Sequence, residues 1–275
     1  VVAGSLPHTG ALAAGESYSG RATITLPRDL SGDYFVIVTS NSDRSLDEAG
    51  LTGNDSLAGD RALHVSLKPT PDLQVSTIVA PSLLRPGDPA TLFYTLDNHG
   101  GAPTDGAWRD RIYIDRGAQG GLYEVANVLD TARLDPAGSV TNSVRFVLPS
   151  DFAEGDFRWL IRADADDSLY ERDGEANNQA SAELRVARPD LVVADLRGPS
   201  LARSGDRLHI EWSVDNRGAS AAGDWIDSVY LVQDAQTRLL AEVAHTSGLA
   251  SGARYAGAAD FEIPLELDGD YRLVV

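Results

Sequence analysis

The sequence contains no cysteine and no methionine, and its apolar residues form no long run. Without cysteine, disulfide bonds, thiolate metal sites and cysteine nucleophiles are excluded, so packing alone must stabilise the fold. The longest strongly apolar run is Phe-Val-Ile-Val at residues 35–38, whereas a membrane-spanning helix needs ~20 apolar residues. We therefore expect no membrane span in this segment, and the missing start methionine leads us to expect an internal part of a longer protein.

Basic residues are scarce, with 23 Lys and Arg against 41 Asp and Glu and a formal net charge of −18. Because binding to phosphate backbones needs Lys and Arg to replace counterions, we predict that nucleic acid is not a partner. Abundant carboxylates suit hard cations such as calcium. A solvated acidic surface explains the same composition without any metal.

What the chain does have is an internal repeat with a period of 117–118 residues. The Asp-Leu-x-Val opening at Asp72 recurs at Asp190, and Trp-x-Asp-x-x-Tyr at Trp108 recurs at Trp225. A fixed period of this size indicates tandem modules. We predict the C-terminal part of one module at residues 1–71, a complete module at 72–188, and a module lacking its last strand at 189–275.

Apolar residues alternate along the chain, as in strands. Leu92, Tyr94 and Leu96 share one face, and the residues between them point the other way. This alternation has the period of two that a half-buried strand shows. Seven strands are predicted in the complete module, near residues 72–79, 90–96, 108–115, 123–131, 139–148, 156–164 and 180–186. The sequence thus predicts an all-β fold of tandem immunoglobulin-like β-sandwiches, with about seven strands per module.

In place of the disulfide of antibody domains, large apolar side chains are the predicted core. The candidates are Trp108, Phe146, Phe157, Trp159, Ile161, Trp212, Trp225, Phe261 and Tyr271. Alternation puts Trp108 and Asp110 on the same inner face, and we place Asp110 at the wetter entrance of the strand. Tyr113 falls on the outer face, where it is available to a ligand.

The strongest candidate site is the acidic loop, residues 164–178, which carries six carboxylates within twelve residues. Calcium takes six to eight oxygen ligands, so the loop is a candidate calcium site, although its spacing is not that of an EF-hand. A second interpretation is that its Asp and Asn side chains only hydrogen-bond nearby backbone in an irregular hairpin. The predicted ligands are Asp164, Asp166, Glu171, Asp173, Glu175 and Asn177.

The linkers between the predicted modules, at residues 68–72 and 187–190, are short and contain proline. Proline fixes φ, so we expect stiff joints and a rod of adjacent modules. Residues 1–71 and 189–275 are incomplete modules. Either they were cut from a longer array, or a neighbouring copy of the chain supplies the missing strands by edge addition.

Sequence motifs for catalysis are missing, since the chain has no Gly-x-Ser-x-Gly, no phosphate-binding loop and no His-Glu-x-x-His. Asp166 and Glu171 lie on one loop, whereas a glycosidase needs carboxylates on opposite sides of a cleft. The five histidines show no metal spacing. We therefore predict that the chain is not an enzyme.

Several motifs together resemble the CARDB domain, a cell-adhesion-related domain found in bacteria. They are Asp-Leu-x-Val, Trp-x-Asp-x-[Ile/Val]-Tyr, the Leu-x-x-Gly…Leu-Pro run and the closing Glu-x-x-x-Glu-x-Asn-Asn. The first module departs from the last of these, with Thr52 in place of the second Glu. The resemblance implies an immunoglobulin-like sandwich that occurs in tandem within large bacterial or archaeal surface and secreted proteins.

These observations predict a non-catalytic stalk or spacer of a large bacterial surface-exposed or secreted protein, such as an adhesin, with calcium rigidifying its modules. Two alternatives stay open: a module that binds carbohydrate or another cell-surface partner, and an accessory region of a secreted hydrolase. All three interpretations place the chain outside the cell or at its surface.

Overall fold

A computed structural model describes residues 2–275, and Val1, which belongs to the predicted first module, lies outside the described residues. Strands take up 45% of the chain and helices 2%, which confirms the all-β prediction. The helices are the short 3-10 turns Thr52–Asn54 and Gly117–Gln119. No helix within residues 2–275 is long and apolar enough to span a lipid bilayer.

Residues 2–71 form two small antiparallel sheets. Their strands are β1 (Gly32–Tyr34), β2 (Ile37–Thr39), β3 (Ser56–Ala58) and β4 (Leu63–Val65). β1 pairs with β4, and β2 pairs with β3. Apolar side chains of β2 and β3, including those of Ile37, Val38 and Leu57, are exposed. Completion of this part by a neighbouring copy stays a prediction.

Residues 72–188 form two sheets packed face to face. The strands are β5 (Leu73–Val79), β6 (Leu83–Leu84), β7 (Pro89–Asn98), β8 (Trp108–Asp115), β9 (Leu122–Asp130), β10 (Ser139–Val147), β11 (Gly155–Arg162) and β12 (Gln179–Val186). One sheet has the order β10-β7-β5 and the other β6-β12-β11-β8-β9. All pairs are antiparallel except β6 with β12. The seven predicted strands are present, and the two-residue β6 is an addition.

The core between these sheets follows from the period of two along each strand. On β7 the buried residues are Leu92, Tyr94, Leu96 and Asn98, so the predicted inner face is confirmed. Trp108, Phe157, Trp159 and Ile161 are buried as predicted, and Phe146 packs against them partly buried. Phe146 meets Trp159 edge to face with ring centroids 5.5 Å apart, an arrangement that aromatic pairs favour.

Residues 189–275 contain a second sandwich with its own core. The strands are β13 (Leu191–Arg197), β14 (Arg207–Asn216), β15 (Trp225–Gln233), β16 (Gln236–His245), β17 (Arg254–Glu262) and β18 (Arg272–Val274). They form the sheets β13-β14-β17 and β16-β15-β18, the same order as β5-β7-β10 and β9-β8-β11. Trp212 and Phe261 are buried in this core, while Tyr271 packs against it partly buried.

Candidate functional site

The acidic loop connects β11 to β12, and its base is closed by a backbone bond from Ala163 N to Asn178 O at 2.8 Å. Three of its residues have left-handed backbone, namely Asp164, Asp167 and Arg172, with φ of 41°, 51° and 53°. A left-handed residue reverses the chain direction sharply. The predicted strand 156–164 therefore ends at Arg162.

Asp164 organises the first half of the loop. It is 1% exposed, and its carboxylate accepts hydrogen bonds from Ser168 N, Ser168 Oγ and Leu169 N at 3.0, 2.5 and 2.7 Å. Both oxygens thus have partners within the loop itself, which is the local bonding that favours Asp in turns. In the described structure, Asp164 holds the turn together.

Glu171 is the most unusual group of the loop, because it is an acid that is 2% exposed. Its Oε1 accepts a hydrogen bond from Leu73 N at 3.1 Å, but Oε2 is buried and has no partner among the described residues. Burial raises the pKa of Glu171 to about 7, the acidic neighbours Glu175 and Asp164 raise it further, and bonds from Leu73 and Asn178 lower it. Burial is thus the main influence on this carboxyl group, and two further acidic side chains act in the same direction.

The other predicted ligands point to separate partners. Asp166 pairs with Arg111 at 2.6 Å, Glu175 Oε1 accepts a bond from Glu171 N at 3.2 Å, and Asn177 Nδ2 donates to Asp72 Oδ1 at 3.0 Å. Asp173 is exposed. In the part of the chain that the structure describes, no three His, Asp or Glu side chains are grouped so that they could hold a metal ion. The six predicted ligands do not form one coordination sphere, and calcium binding stays a prediction.

The second half of the loop instead contacts the linker that precedes β5. Arg172 Nη2 donates to Lys68 O at 2.7 Å, and Thr70 Oγ1 lies 3.5 Å from Glu171 O. Together with the bond from Leu73 N to Glu171, these contacts join residues that are about a hundred positions apart in sequence. The loop fixes the path of the linker.

The loop also touches residues 2–71. The Tyr170 hydroxyl donates a hydrogen bond to Asp29, and the guanidinium of Arg28 lies over the Tyr170 ring, 5.1 Å from its centroid. A cation over an aromatic face is favourable by about 0.5–1 kcal/mol at an exposed site. The same loop therefore contacts both the linker and the part of the chain before it.

A loop with similar backbone conformation is present at residues 40–55. It has left-handed backbone at Asn41, Arg44 and Ala49, each 123 positions before its counterpart in the acidic loop. Its base is closed by a bond from Ser40 N to Asp55 O at 2.8 Å. One contact differs: Asn41 Nδ2 donates to Glu48 Oε1 at 2.9 Å, whereas Asp164 at the corresponding position has no proton to donate to Glu171.

The Trp-x-Asp-x-x-Tyr segment lies on β8 with Trp108 buried, as predicted. The prediction that Asp110 lies at a wet entrance is wrong, because Asp110 is 0% exposed. Its Oδ2 accepts a bond from Tyr94 Oη at 2.8 Å and its Oδ1 one from Asp164 N at 3.2 Å. Burial raises the pKa of Asp110 to about 6, although these two bonds oppose the shift. The Tyr94 bond joins the two sheets.

A buried acid also joins the two sheets in residues 189–275. Asp227 accepts hydrogen bonds from Trp212 Nε1 and Trp225 Nε1, both at 2.8 Å. Trp212 on β14 stands where β7 has Tyr94. The Asp in the repeated motif therefore has a structural role in both sandwiches.

Sequence reasoning missed Asn98, which is 0% exposed. Its Oδ1 accepts bonds from Asp72 N and Gly100 N, and its Nδ2 donates to Ala102 O and Leu134 O, at 2.8–3.1 Å. The recurrence of Asp-Asn at residues 97–98 and 215–216 was the available signal, but it gives no partners. Asp72, whose side chain accepts a hydrogen bond from Asn177, was missed for the same reason.

The sequence profile of the CARDB family matches residues 70–182, while no curated protein matches the chain. Among solved structures, the chain is similar to the CARDB domain of the PF1109 protein from Pyrococcus furiosus. Its crystal structure, described as a complex with di-metal ions, is 25% identical over 42% of this chain and 89% of that chain, with a TM-score of 0.34. Its solution NMR structure is 26% identical over 42% of this chain and 95% of that chain, with a TM-score of 0.33.

Red sea bream transglutaminase is also similar, with 12% identity over 70% of this chain and 27% of that chain and a TM-score of 0.31. CARDB is a non-catalytic, bacterial adhesion-related domain family. The profile match covers β5 to β11 and the acidic loop, and it agrees with the motifs that carried the resemblance. The chain therefore contains a CARDB domain at residues 70–182.

Proposed function

We propose that the chain is a segment of a structural stalk or spacer in a large bacterial surface-exposed or secreted protein of the adhesin kind. In this role, the predicted modules at 1–71, 72–188 and 189–275 follow one another in line and project other domains from the cell surface. The adhesion-related, non-catalytic character of CARDB supports the proposal. So does the matching strand order of the two sandwiches.

The observation that supports the proposal is that both linkers are hydrogen-bonded to the folded structure beside them, and that the second linker is bonded to the sandwiches on both sides. At the second joint, the Arg188 side chain donates to Ser150 O and Phe152 O at 2.6 and 2.8 Å and to Glu154 Oε1 at 3.2 Å. Its carbonyl oxygen accepts a bond from Ser220 N at 3.3 Å. Arg188 therefore connects residues 150–154 of one sandwich with the other sandwich.

The first joint is bonded in a related way. Thr70 O accepts a bond from Ala102 N at 3.3 Å, which corresponds to the bond between Ser220 and Arg188. The acidic loop adds the contacts of Arg172 with Lys68 and of Tyr170 with Asp29. A flexible spacer would leave such linker groups to water, so these bonds favour a stiff stalk.

A glycan-binding role has less support. The aromatic residue that the sequence predicted to be available to a ligand is Tyr113, but the Arg162 guanidinium lies over its ring, 5.8 Å from the centroid. A sugar would have to displace this cation. We therefore rank recognition of a glycan or another cell-surface partner, and the accessory role in a secreted hydrolase, below the stalk.

Small-angle X-ray scattering of the chain tests the proposal. A compact globule of this length has a radius of gyration of about 19 Å, and a line of modules gives a clearly larger value with an elongated distance distribution. A radius near that of the globule would contradict a stalk.

A further inference from the structure

The space above Gly174 brings together two acidic side chains. A β-carbon at Gly174 would lie 2.8 Å from Asp72 Oδ1 and 3.0 Å from Glu171 Oε2. Glycine leaves this position open, so the two oxygens face the same small space. One of them comes from the linker and the other from the acidic loop.

One of these oxygens, Glu171 Oε2, is buried without a hydrogen-bond partner among the described residues, on a side chain that is 2% exposed. A buried acceptor without a partner costs about 1–3 kcal/mol, and more if it is charged. Glu175 and Asp164 lie close enough to act on Glu171, and both are acidic.

In the loop at residues 40–55, the glutamate that corresponds to Glu171 is Glu48, and it has a hydrogen-bond donor without any ligand. There the Asn41 amide donates directly to Glu48. Asp164 replaces that amide with a carboxylate, which removes a donor from the glutamate and adds a negative charge beside it. A hard cation supplies the missing positive charge and takes oxygen ligands of this kind.

We propose that Asp72 and Glu171 bind one calcium ion in the space above Gly174. The site has two carboxylates, and backbone carbonyls or water complete the six to eight oxygens that calcium needs. It retains Glu171 from the predicted ligand set and adds Asp72. The inference deepens the proposed stalk function, on which its role rests, because the ion would join the linker to the acidic loop.

Calcium titration of the full chain by calorimetry at pH 7.5 and fixed ionic strength tests the site. We expect one ion to bind with a dissociation constant on the order of 1 mM or below, as in other extracellular modules. Glu171→Gln, and Gly174→Ala with its β-carbon in the space, should each weaken binding by about tenfold or more. Asp173→Asn removes an exposed charge of the same loop and should change affinity by less than about twofold.

A further variant, Asp164→Asn, restores the amide of the first loop. We expect it to weaken calcium binding by about tenfold or more while the melting temperature without calcium stays the same or rises. Absence of binding to the unmodified chain at about 10 mM calcium would overturn the proposal. It would also be overturned if Asp173→Asn weakened binding as much as Glu171→Gln. Calcium would then be attracted by the overall negative charge of the loop and not by a defined site.

Failure of the stalk is distinguishable from failure of the site. Spin labels on either side of the linker at residues 68–72 measure the stiffness of the joint beside the site. If calcium binds as expected but the labels report a broad distance distribution, the cation site stands and the stiff joint does not. If the joint is stiff and no calcium binds, the stalk stands and the cation site is lost.

Discussion

Asn98 and Asn216 make the same four side-chain hydrogen bonds in the two sandwiches. Asn216 Oδ1 accepts from Asp190 N and Gly218 N, and its Nδ2 donates to Ser220 O and Leu249 O, at 2.9–3.1 Å. Each partner but one stands 118 residues after its counterpart around Asn98. Asn98 ends β7 and Asn216 ends β14. Each one is hydrogen-bonded to the residue just before the first strand of its sandwich, to the loop that follows its own strand, and to a leucine further along the chain.

Replacement of Asn98 by Ala should strongly destabilise residues 72–188. The variant loses four buried hydrogen bonds and leaves their backbone partners unsatisfied, so we expect a cost of about 3 kcal/mol or more. Asn216→Ala should have the same effect on residues 189–275. Hydrogen exchange resolved along the chain measures both, and an Asn98→Ala effect confined to exposed loops would contradict the assignment.

Glycine at position 100 is required by the close approach of the linker. A β-carbon there would lie 2.3 Å from Thr70 O, whereas one at Gly101 would lie 3.3 Å from the Pro69 side chain. Gly100→Ala should therefore displace the linker and increase hydrogen exchange at residues 68–73, at a cost of about 2 kcal/mol or more. The matched Gly101→Ala should be nearly neutral, and equal effects of the two variants would show that the approach is not tight.

Stability should depend on pH through Asp110. Because its pKa in the folded protein is raised to about 6 from 3.8, the folded state holds this proton more tightly than the unfolded state. The contribution is fully present below about pH 4 and is lost as pH rises towards 6, by about 3 kcal/mol in total. Urea denaturation at several pH values, with Asp110→Asn compared with the unmodified chain, measures it.

The difference in unfolding free energy between the two proteins should change by about that amount between pH 4 and 7 and stay constant above it. Asp105→Asn, an exposed control in the same sandwich, should give no such change. A difference that is flat with pH would mean that Asp110 is not held in a buried site.

Strands and their inner faces could be predicted from the sequence because they depend on alternation between near neighbours. The burial of Trp108 and of Leu92, Tyr94 and Leu96 follows from this period. Asp110 shares the same parity, but a lone carboxylate is costly to bury, so its position was predicted wrongly. What makes its burial possible is Tyr94 on the facing sheet and the backbone of Asp164, and alternation carries no information on such partners.

The candidate site was predictable only in its location. Composition marked the acidic loop, and residues 40–55 share its left-handed positions in the structure. The partners of the loop come from the linker, with Leu73 lying 98 positions before Glu171. Which carboxylates face each other depends on this long-range packing, so a ligand list drawn from one stretch of sequence could not identify Asp72.

The central claim of a stiff joint is tested most directly by pulsed electron paramagnetic resonance. Spin labels are attached at two exposed positions, through Ser143→Cys and Glu242→Cys. The natural sequence has no cysteine, so these two substitutions supply the only thiols. We predict one narrow distance distribution, which broadens in Arg188→Ala and is unchanged in Arg185→Ala, a control arginine that pairs with Asp156 on the sheet surface. A distribution that is already broad in the labelled chain with Arg188 intact would contradict the account.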